Sequence, residues 1–463
     1  MIMQIYKREE GKEQPYWPLG PFKVRLPLIH YRWEMVEFFQ ALIMFVVSLA
    51  MIPLLEKYLG VPYDVALAYV FVCGIGFMLP ALLGVSHVPG WITPAIPVVL
   101  LYLGKFEPGP DAIKALVALQ LEVFVIFFVL GVTGLGSKIV KLIPSSLKAG
   151  ILIGAGVAAL IGEFKATGRV TQTPIALTIG GLLCIYMLFS VSFKSLAERN
   201  PVAKLVAKFG MVPAMVLAML IGWMVSEYPT PDIQFGFTSP AFAEMLNYLP
   251  ITLGMPGLDL FLTAIPTAVI AYIIAFGDIV VGDALISRAN ADRPDELIDY
   301  STDRLHLVTA LRNLLHAFFA PYPGLAGPIW TAVTATTAER FRSDRTSMES
   351  IYSGAGTFWI AGFLALLILP LVSLFKPFLA IGLSLTLVVT GYLCISIGME
   401  QAKDSTQRGV AGIVAIVLAV YGAAWGLGAG LVLYLLIEKK SLFNKRPIVS
   451  AEGLLEPEAS EAG

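Results

Sequence analysis

Asp278 is the residue around which chemistry can be built. It stands in Ala275-Phe-Gly-Asp-Ile-Val-Val-Gly282, well inside an apolar run. A carboxylate at that depth of a bilayer costs about 2.5–3.5 kcal/mol, so it must face a cavity or a partner. Such a group can carry a proton or accept a hydrogen bond from a bound solute; the alternative is a structural bond to a neighbouring helix. Asp283 is either a second coupling group or a solvated residue near the end of the same helix. Arg312 lies inside another apolar run. It can be a counter-ion to Asp278, an anchor for an anion, or a long side chain whose head reaches the headgroups. Glu122, in Ala118-Leu-Gln-Leu-Glu-Val-Phe124, more readily bonds across helices than holds a solute. His87 and His316 read as core histidines. Trp91 and Trp330 can stack on a flat ring or simply pack, and Gln40 can bond a polar solute or pack.

Other chemistry has no residues to carry it. The sequence holds no Walker A, GxSxG or HExxH pattern, so ATP-driven pumping and hydrolysis by this chain have no support. The three cysteines, Cys73, Cys184 and Cys394, sit singly in apolar runs, which gives neither a disulfide framework nor zinc spacing. No metal, no organic cofactor and no enzymatic activity is expected.

The elements that position Asp278 follow from composition. The chain has 463 residues, 57% hydrophobic and 14% charged. Soluble domains carry about 25% charge and 45–50% apolar residues, so this is a polytopic membrane protein. The net charge of −1 draws no nucleic acid. Runs of about 20 apolar residues, together with two Gly/Pro-interrupted stretches and a divided 409–437, predict an all-α protein with 14 transmembrane segments. The 409–437 run is expected to break at Trp425–Gly430. Residues 1–34 read as a cytoplasmic arm, 35–226 as a first seven-span repeat, 227–257 as an outer loop, 258–437 as a second repeat and 438–463 as a cytoplasmic tail. With this count most of the 32 Lys and Arg, among them Lys138, Lys141, Lys208, Arg340, Lys440, Lys445 and Arg446, fall on the side of the two termini. Positive charge marks the inner side, so both termini are expected to be cytoplasmic.

The two interrupted stretches align. Val88-Pro-Gly-Trp-Ile-Thr-Pro-Ala-Ile-Pro-Val-Val99 matches Tyr322-Pro-Gly-Leu-Ala-Gly-Pro-Ile-Trp-Thr-Ala-Val333 at Pro89/Pro323, Gly90/Gly324, Pro94/Pro328 and Val99/Val333, an offset of 234 residues or half the chain. One follows an even number of spans and the other an odd number, so a 7+7 inverted repeat is expected. Proline removes backbone donors and glycine weakens helices, so spans 3 and 10 should be partly extended half-helices. Such backbone within a bilayer must be buried or line a cavity, and paired broken spans mark a transporter's site. The expected lining is Trp91, Ile92, Thr93, Ala326, Gly327, Ile329, Trp330 and Thr331 from the broken spans, Phe276 and Gly277 beside Asp278, and Gln40. Asp278, Arg312 and Asp283 are the coupling candidates.

At these residues the sequence resembles the nucleobase–ascorbate transporter (xanthine/uracil permease) family, whose fold is shared with the sulfate permease family. The resemblance is carried by Arg312-Asn-Leu-Leu-His-Ala-Phe-Phe-Ala-Pro-Tyr-Pro-Gly-Leu-Ala-Gly-Pro-Ile-Trp-Thr331, by Phe39–Pro53 and by Ile143–Gly156. It implies a core domain of spans 1–4 and 8–11 and a gate domain of spans 5–7 and 12–14. It implies a nucleobase held by an acidic residue on the eighth span, here Asp278, and by a second on the tenth, where this sequence has Ile329. The expected function is secondary active transport of a nucleobase-like heterocycle coupled to protons, or to sodium. An anion transporter of the sulfate-permease type and a channel-like protein of the same fold stay open. The expected setting is the bacterial inner membrane, with lipid and a small-molecule or anionic substrate as partners and a homodimer through the gate domains as one arrangement.

Overall fold

The computed structural model describes residues 4–136, 138, 143–207 and 209–439. Lys141, Lys208, Lys440, Lys445, Arg446 and most of the predicted tail lie outside the described residues. Past an N-terminal arm, the first half runs α1 (Met35–Met44), α2 (Tyr63–Leu82), α3 (Ile96–Leu103), α4 (Pro110–Thr133), α5 (Ser145–Phe164), α6 (Pro174–Phe189) and α7 (Val212–Met224). The second runs α8 (Leu258–Asp292), α9 (Thr302–Phe319), α10 (Thr331–Ser343), α11 (Ile351–Leu366), α12 (Leu379–Gln401), α13 (Ser405–Tyr421) and α14 (Ala423–Leu433). Among the described residues, six helical runs are long and apolar enough to cross a bilayer, seven if the bent pair Pro174–Phe189 and Val191–Arg199 is one span. Five shorter apolar helices accompany them.

Local chemistry sets the ends. Ser301 caps α9 by accepting from the Arg304 N–H, and Asp404 caps α13 by accepting from the Gln407 N–H at 2.8 Å. Ser350 and Ser353 form a reciprocal cap at the start of α11. The predicted break at Trp425–Gly430 is corrected to Gly422, which separates α13 from α14 at φ +88° and ψ −173°, a conformation reserved for glycine. The denser glycine run stays helical because it serves packing: a Cβ on Gly426 would lie 2.7 Å from the Leu418 Cβ. The first span is also less regular than expected, stepping through short turns at Val46–Leu49 and Ile52–Leu54 to a π-turn at Leu55–Leu59.

The helices pack in two groups. α4 lies against α8 and α9, α1 against α11, α2 against α9 and α11, and α10 against α8 and α11. Separately, α5 lies against α12 and α13, and α6 against α7 and α12. Small residues bring α5 and α12 close, since a Cβ on Gly156 would stand 2.7 Å from the Gly391 carbonyl.

The fold is mostly helical as expected, with two short strand pairs among the described residues. Trp17–Leu19 (β1) and Phe22–Val24 (β2) pair as a hairpin within the arm. Gly90–Trp91 (β3) and Ala326–Gly327 (β4) pair across the halves of the chain. The arm is a docked element. Arg8 pairs with Asp295 at 3.1 Å and donates to the Glu349 carbonyl at 2.8 Å. Lys23 bridges Glu13 and Asp299 at 2.6 and 2.5 Å. Arg304 on α9 bonds the carbonyls of Pro21 and Gly84, both at 3.0 Å. Arg25 is buried, with its guanidinium 3.8 Å from the Tyr352 ring centre.

Candidate functional site

The site begins with the β3–β4 ladder. Gly90 pairs with Gly327 and Trp91 with Ala326, antiparallel. The Ile92 N–H continues the pairing to the Leu325 carbonyl at 2.9 Å, and the Trp330 N–H donates to the Val88 carbonyl at 2.7 Å. Thr334 seals the edge: its hydroxyl accepts from the Val88 N–H at 3.1 Å. The prolines at 89, 94, 323 and 328 explain why the segments extend instead of coiling. The offset of 234 relates Trp91 to Leu325 and Ile92 to Ala326, so equivalent residues of the two stretches lie diagonally across this ladder.

Two side chains from α9 hold the ladder from behind. Arg312, fully buried, donates to the Gly327 carbonyl at 2.5 Å and to the Gly90 carbonyl at 2.9 Å. Its guanidinium lies 4.9 Å from the Phe77 ring centre, and Phe77 stacks on Trp359 at 3.9 Å. Asn313 accepts from the Ala326 N–H at 3.1 Å and donates to the Ala326 carbonyl at 2.9 Å. The Trp359 indole N–H donates to the Pro89 carbonyl at 3.0 Å. Carbonyls that would otherwise stand unpaired inside the protein are thus satisfied.

In front of the ladder is a cavity of about 10 Å³ lined by Val47, Ser48, Phe77, Gly90, Trp91, Thr93, Trp330, Trp359 and Thr386. Thr386 comes from α12, the other packing group, so the cavity lies where the two groups meet. By the same measure one water molecule needs about 10–15 Å³, so this arrangement has no room for a solute. Asp278 stands half-buried at the start of α10, where the Thr331 hydroxyl donates to its carboxylate at 3.2 Å. α10 has no side-chain cap, and its first-turn N–H groups give that end a partial positive charge.

The other expected residues fall in several places. Trp91, Thr93 and Trp330 line the cavity, while Ala326 and Gly327 belong to the ladder strand β4 and stand outside its lining. Ile92 is buried and also outside the lining. Ile329 is buried with its Cδ1 2.5 Å from where a Cβ on Gly282 would sit. Phe276 and Gly277 are half-buried beside Asp278. Gln40 is buried on α1, outside the cavity lining. Asp283 is exposed and accepts from the Ser287 hydroxyl at 3.3 Å. Arg312 makes no bond to Asp278, and its burial removes it from the headgroups. Glu122 lies half-buried in a separate apolar groove between α4 and α8. The sequence reading had no place for Ser48, Phe77, Asn313, Thr334, Trp359 and Thr386; Asn313, a polar residue beside Arg312 in an apolar run, was the one with a visible signal.

A profile of the xanthine/uracil permeases, described as a permease family, matches residues 32–300, more than half of the chain. The chain belongs to this permease family. It is therefore a membrane transporter and not an enzyme. No curated protein sequence matches the permease. Among solved structures it is similar to the transmembrane domain of the cyanobacterium bicarbonate transporter BicA, with 17% identity, TM-score 0.51, and coverage of 85% of this chain and 96% of that one. It is similar to the murine SLC26A9 anion transporter in the inward-facing state, with 14% identity, TM-score 0.52, and coverage of 91% and 70%. A second SLC26A9 structure gives 14% identity, TM-score 0.51, and coverage of 88% and 65%. These likenesses describe the fold of the permease.

Proposed function

We propose that the permease is a fourteen-span secondary active transporter that moves a neutral, nucleobase-like heterocycle together with a proton, the arm lying on the cytoplasmic side. In this reading the helices around the ladder are the core and those around α5 and α12 the gate. Transport is the sliding of one against the other, which opens the cavity by parting Thr386 from the aromatic wall.

The observation that carries the substrate class is Asp278 at the mouth of α10. A bound anion about 5 Å from that carboxylate would be repelled by about 3 kcal/mol at an effective dielectric of 20. A helix N-terminus returns about 0.3–1 kcal/mol, up to ~2 in partly buried geometry. Arg312 is directed to the Gly90 and Gly327 carbonyls and makes no bond to Asp278, so it does not neutralise that carboxylate by contact. A neutral ring with N–H donors gains instead, since a hydrogen bond to a charged acceptor contributes about 1.5–3 kcal/mol. Trp91, Trp330 and Trp359 offer flat faces for such a ring.

The solved neighbours are described as bicarbonate and anion transporters, which supports a second reading: an anion entering with a proton already on Asp278. Purified protein in liposomes separates the two. Uptake of labelled uracil or xanthine that accumulates under an inward proton gradient and collapses with a protonophore is expected, with Asp278→Asn inactive but folded. Accumulation of bicarbonate or sulfate and none of the nucleobases would overturn the heterocycle reading. Uptake that never exceeds equilibrium would favour a channel.

A further inference from the structure

A second cavity, of about 160 Å³, lies between α3, α8 and the α13–α14 junction. It sits at the end of the bundle away from the arm. Lys105 follows the end of α3, Thr263 and Thr267 lie near the start of α8, and Tyr421 ends α13. The far end of α8, at Asp292, leads instead to Asp295, which holds Arg8 of the arm. α8 packs with the ladder helices and α13 on α5, so this cavity lies on the same seam as the central one. α3 links the two: Thr93, just before it, lines the central cavity, and Val98 lines the outer one roughly 8 Å further along by helical rise. Thr267 stands about 16 Å along α8 from Asp278.

The outer walls suit a small polar ring. Thr267 is 3% exposed and lines the cavity, yet among the described residues no group bonds its hydroxyl. Buried polar groups are normally paired, so the cavity is where that hydroxyl can find a partner. Its neighbours are already engaged: the Thr263 hydroxyl donates to the Leu260 carbonyl at 2.9 Å and the Tyr102 hydroxyl to the Ala115 carbonyl at 3.3 Å. Lys105 is the one charged residue of the lining, and Tyr421 adds an aromatic face. Asp259 and Glu122 lie within electrostatic range of Tyr102, which offsets Lys105 and favours a neutral solute over an anion. One water needs about 10–15 Å³ by this measure, so the cavity has room for roughly ten heavy atoms, about one heterocycle with its substituents. The central cavity has no such room in the same structure.

We propose that the outer cavity is a second solute-binding site, an antechamber that holds the heterocycle while the central cavity is closed. The ring lies on Tyr421, a ring carbonyl accepts from the Lys105 ammonium, and a ring N–H donates to the Thr267 hydroxyl. The inference rests on the heterocycle reading above.

The test uses cysteine protection in the purified full chain. Cys73, Cys184 and Cys394 are all buried, so Ala424→Cys, at an exposed position of the lining, supplies the one reactive thiol. The measurement is the rate at which a charged maleimide labels it. The background is Asp278→Asn, which disables the central site. Uracil at about ten times its half-protecting concentration should slow labelling about tenfold. Thr267→Val should raise the half-protecting concentration about three- to tenfold, as loss of one hydrogen bond requires. Lys105→Met, an exposed position, should do the same and serves if Thr267→Val does not fold. Labelling that uracil never slows, or equal protection with and without the two substitutions, would overturn the antechamber. Protection by bicarbonate and none by uracil would overturn it as a site for a neutral ring. Uracil transport by the parent is read separately in liposomes, so a failure of the heterocycle reading shows there and not in the labelling rate.

Discussion

Gly90 and Gly327 face one another as Cα partners where the two halves of the chain cross, and Arg312 donates to the carbonyl of each. The pairing leaves no room for side chains. A Cβ on Gly327 would stand 2.6 Å from the Trp91 carbonyl carbon, and one on Gly90 would stand 2.9 Å from the Trp330 Cβ. Backbone cannot give way as a flexible side chain can, so Gly327→Ala should cost about 1–3 kcal/mol by overpacking. A lowered thermal midpoint in detergent together with lost uptake is expected. Normal uptake by Gly327→Ala would show that the ladder opens during transport.

Arg312 should behave as the fastener of this crossing. Replacing it by Met leaves two buried carbonyls without donors, at about 1–3 kcal/mol each. Lysine keeps the charge but loses the planar fork that reaches two acceptors at once. The expected order of thermal midpoints is parent, then Arg312→Lys, then Arg312→Met. Equal midpoints for the two variants would mean that charge, not the double bond, matters at this position.

The crossing was legible in the sequence because proline and glycine declare backbone that cannot coil, and Asp278 because a charge in an apolar run must be accounted for. Phe77, Trp359 and Thr386 carried no such mark. They are ordinary residues of apolar helices, and only packing between distant spans brings them to the cavity. Gly422 was missed for a different reason: glycine density suggested a break at Trp425–Gly430, whereas the break follows the one glycine in that run with positive φ. The arm gave no signal because its partners, such as Asp295 for Arg8 and Arg304 for Pro21, lie far along the chain.

Thr331 offers a milder probe of Asp278. Its hydroxyl donates to the carboxylate at 3.2 Å and holds it at the start of α10. Thr331→Val keeps the shape of the side chain and removes the donor, a loss of about 1.5–3 kcal/mol for a bond to a charged group. The apparent KM for uracil should rise about tenfold or more, with the folded yield unchanged, whereas Thr331→Ser should remain near the parent. Matching KM values in the valine and serine variants would remove this bond from substrate binding.

The arm junction should make stability depend on pH. Burial pushes the Glu296 carboxyl up to about 7, only partly opposed by Arg8 at 3.8 Å and by the Ser350 hydroxyl, which donates to it at 2.7 Å. An acid whose pKa is raised on folding favours the folded state below its unfolded value near 4.3, and that contribution is lost as pH rises through about 7. Next to it, hydrogen bonds from Arg293 and Arg8 hold Asp295 below the usual carboxylate range. Its contribution has the opposite sign and is lost only in acid, as pH falls below about 3.9. Buried His30 of the arm opposes Glu296 below about pH 6.5: burial holds its imidazole below the usual value, so its contribution grows as pH rises to about 6.5. The decline in thermal midpoint should therefore be concentrated between about pH 6.5 and 8. Glu296→Gln, which cannot ionise and can still accept from Ser350, should flatten the decline. The check is a series of thermal unfolding curves at half-unit pH steps for both proteins, and parallel curves would show that Glu296 does not titrate on folding.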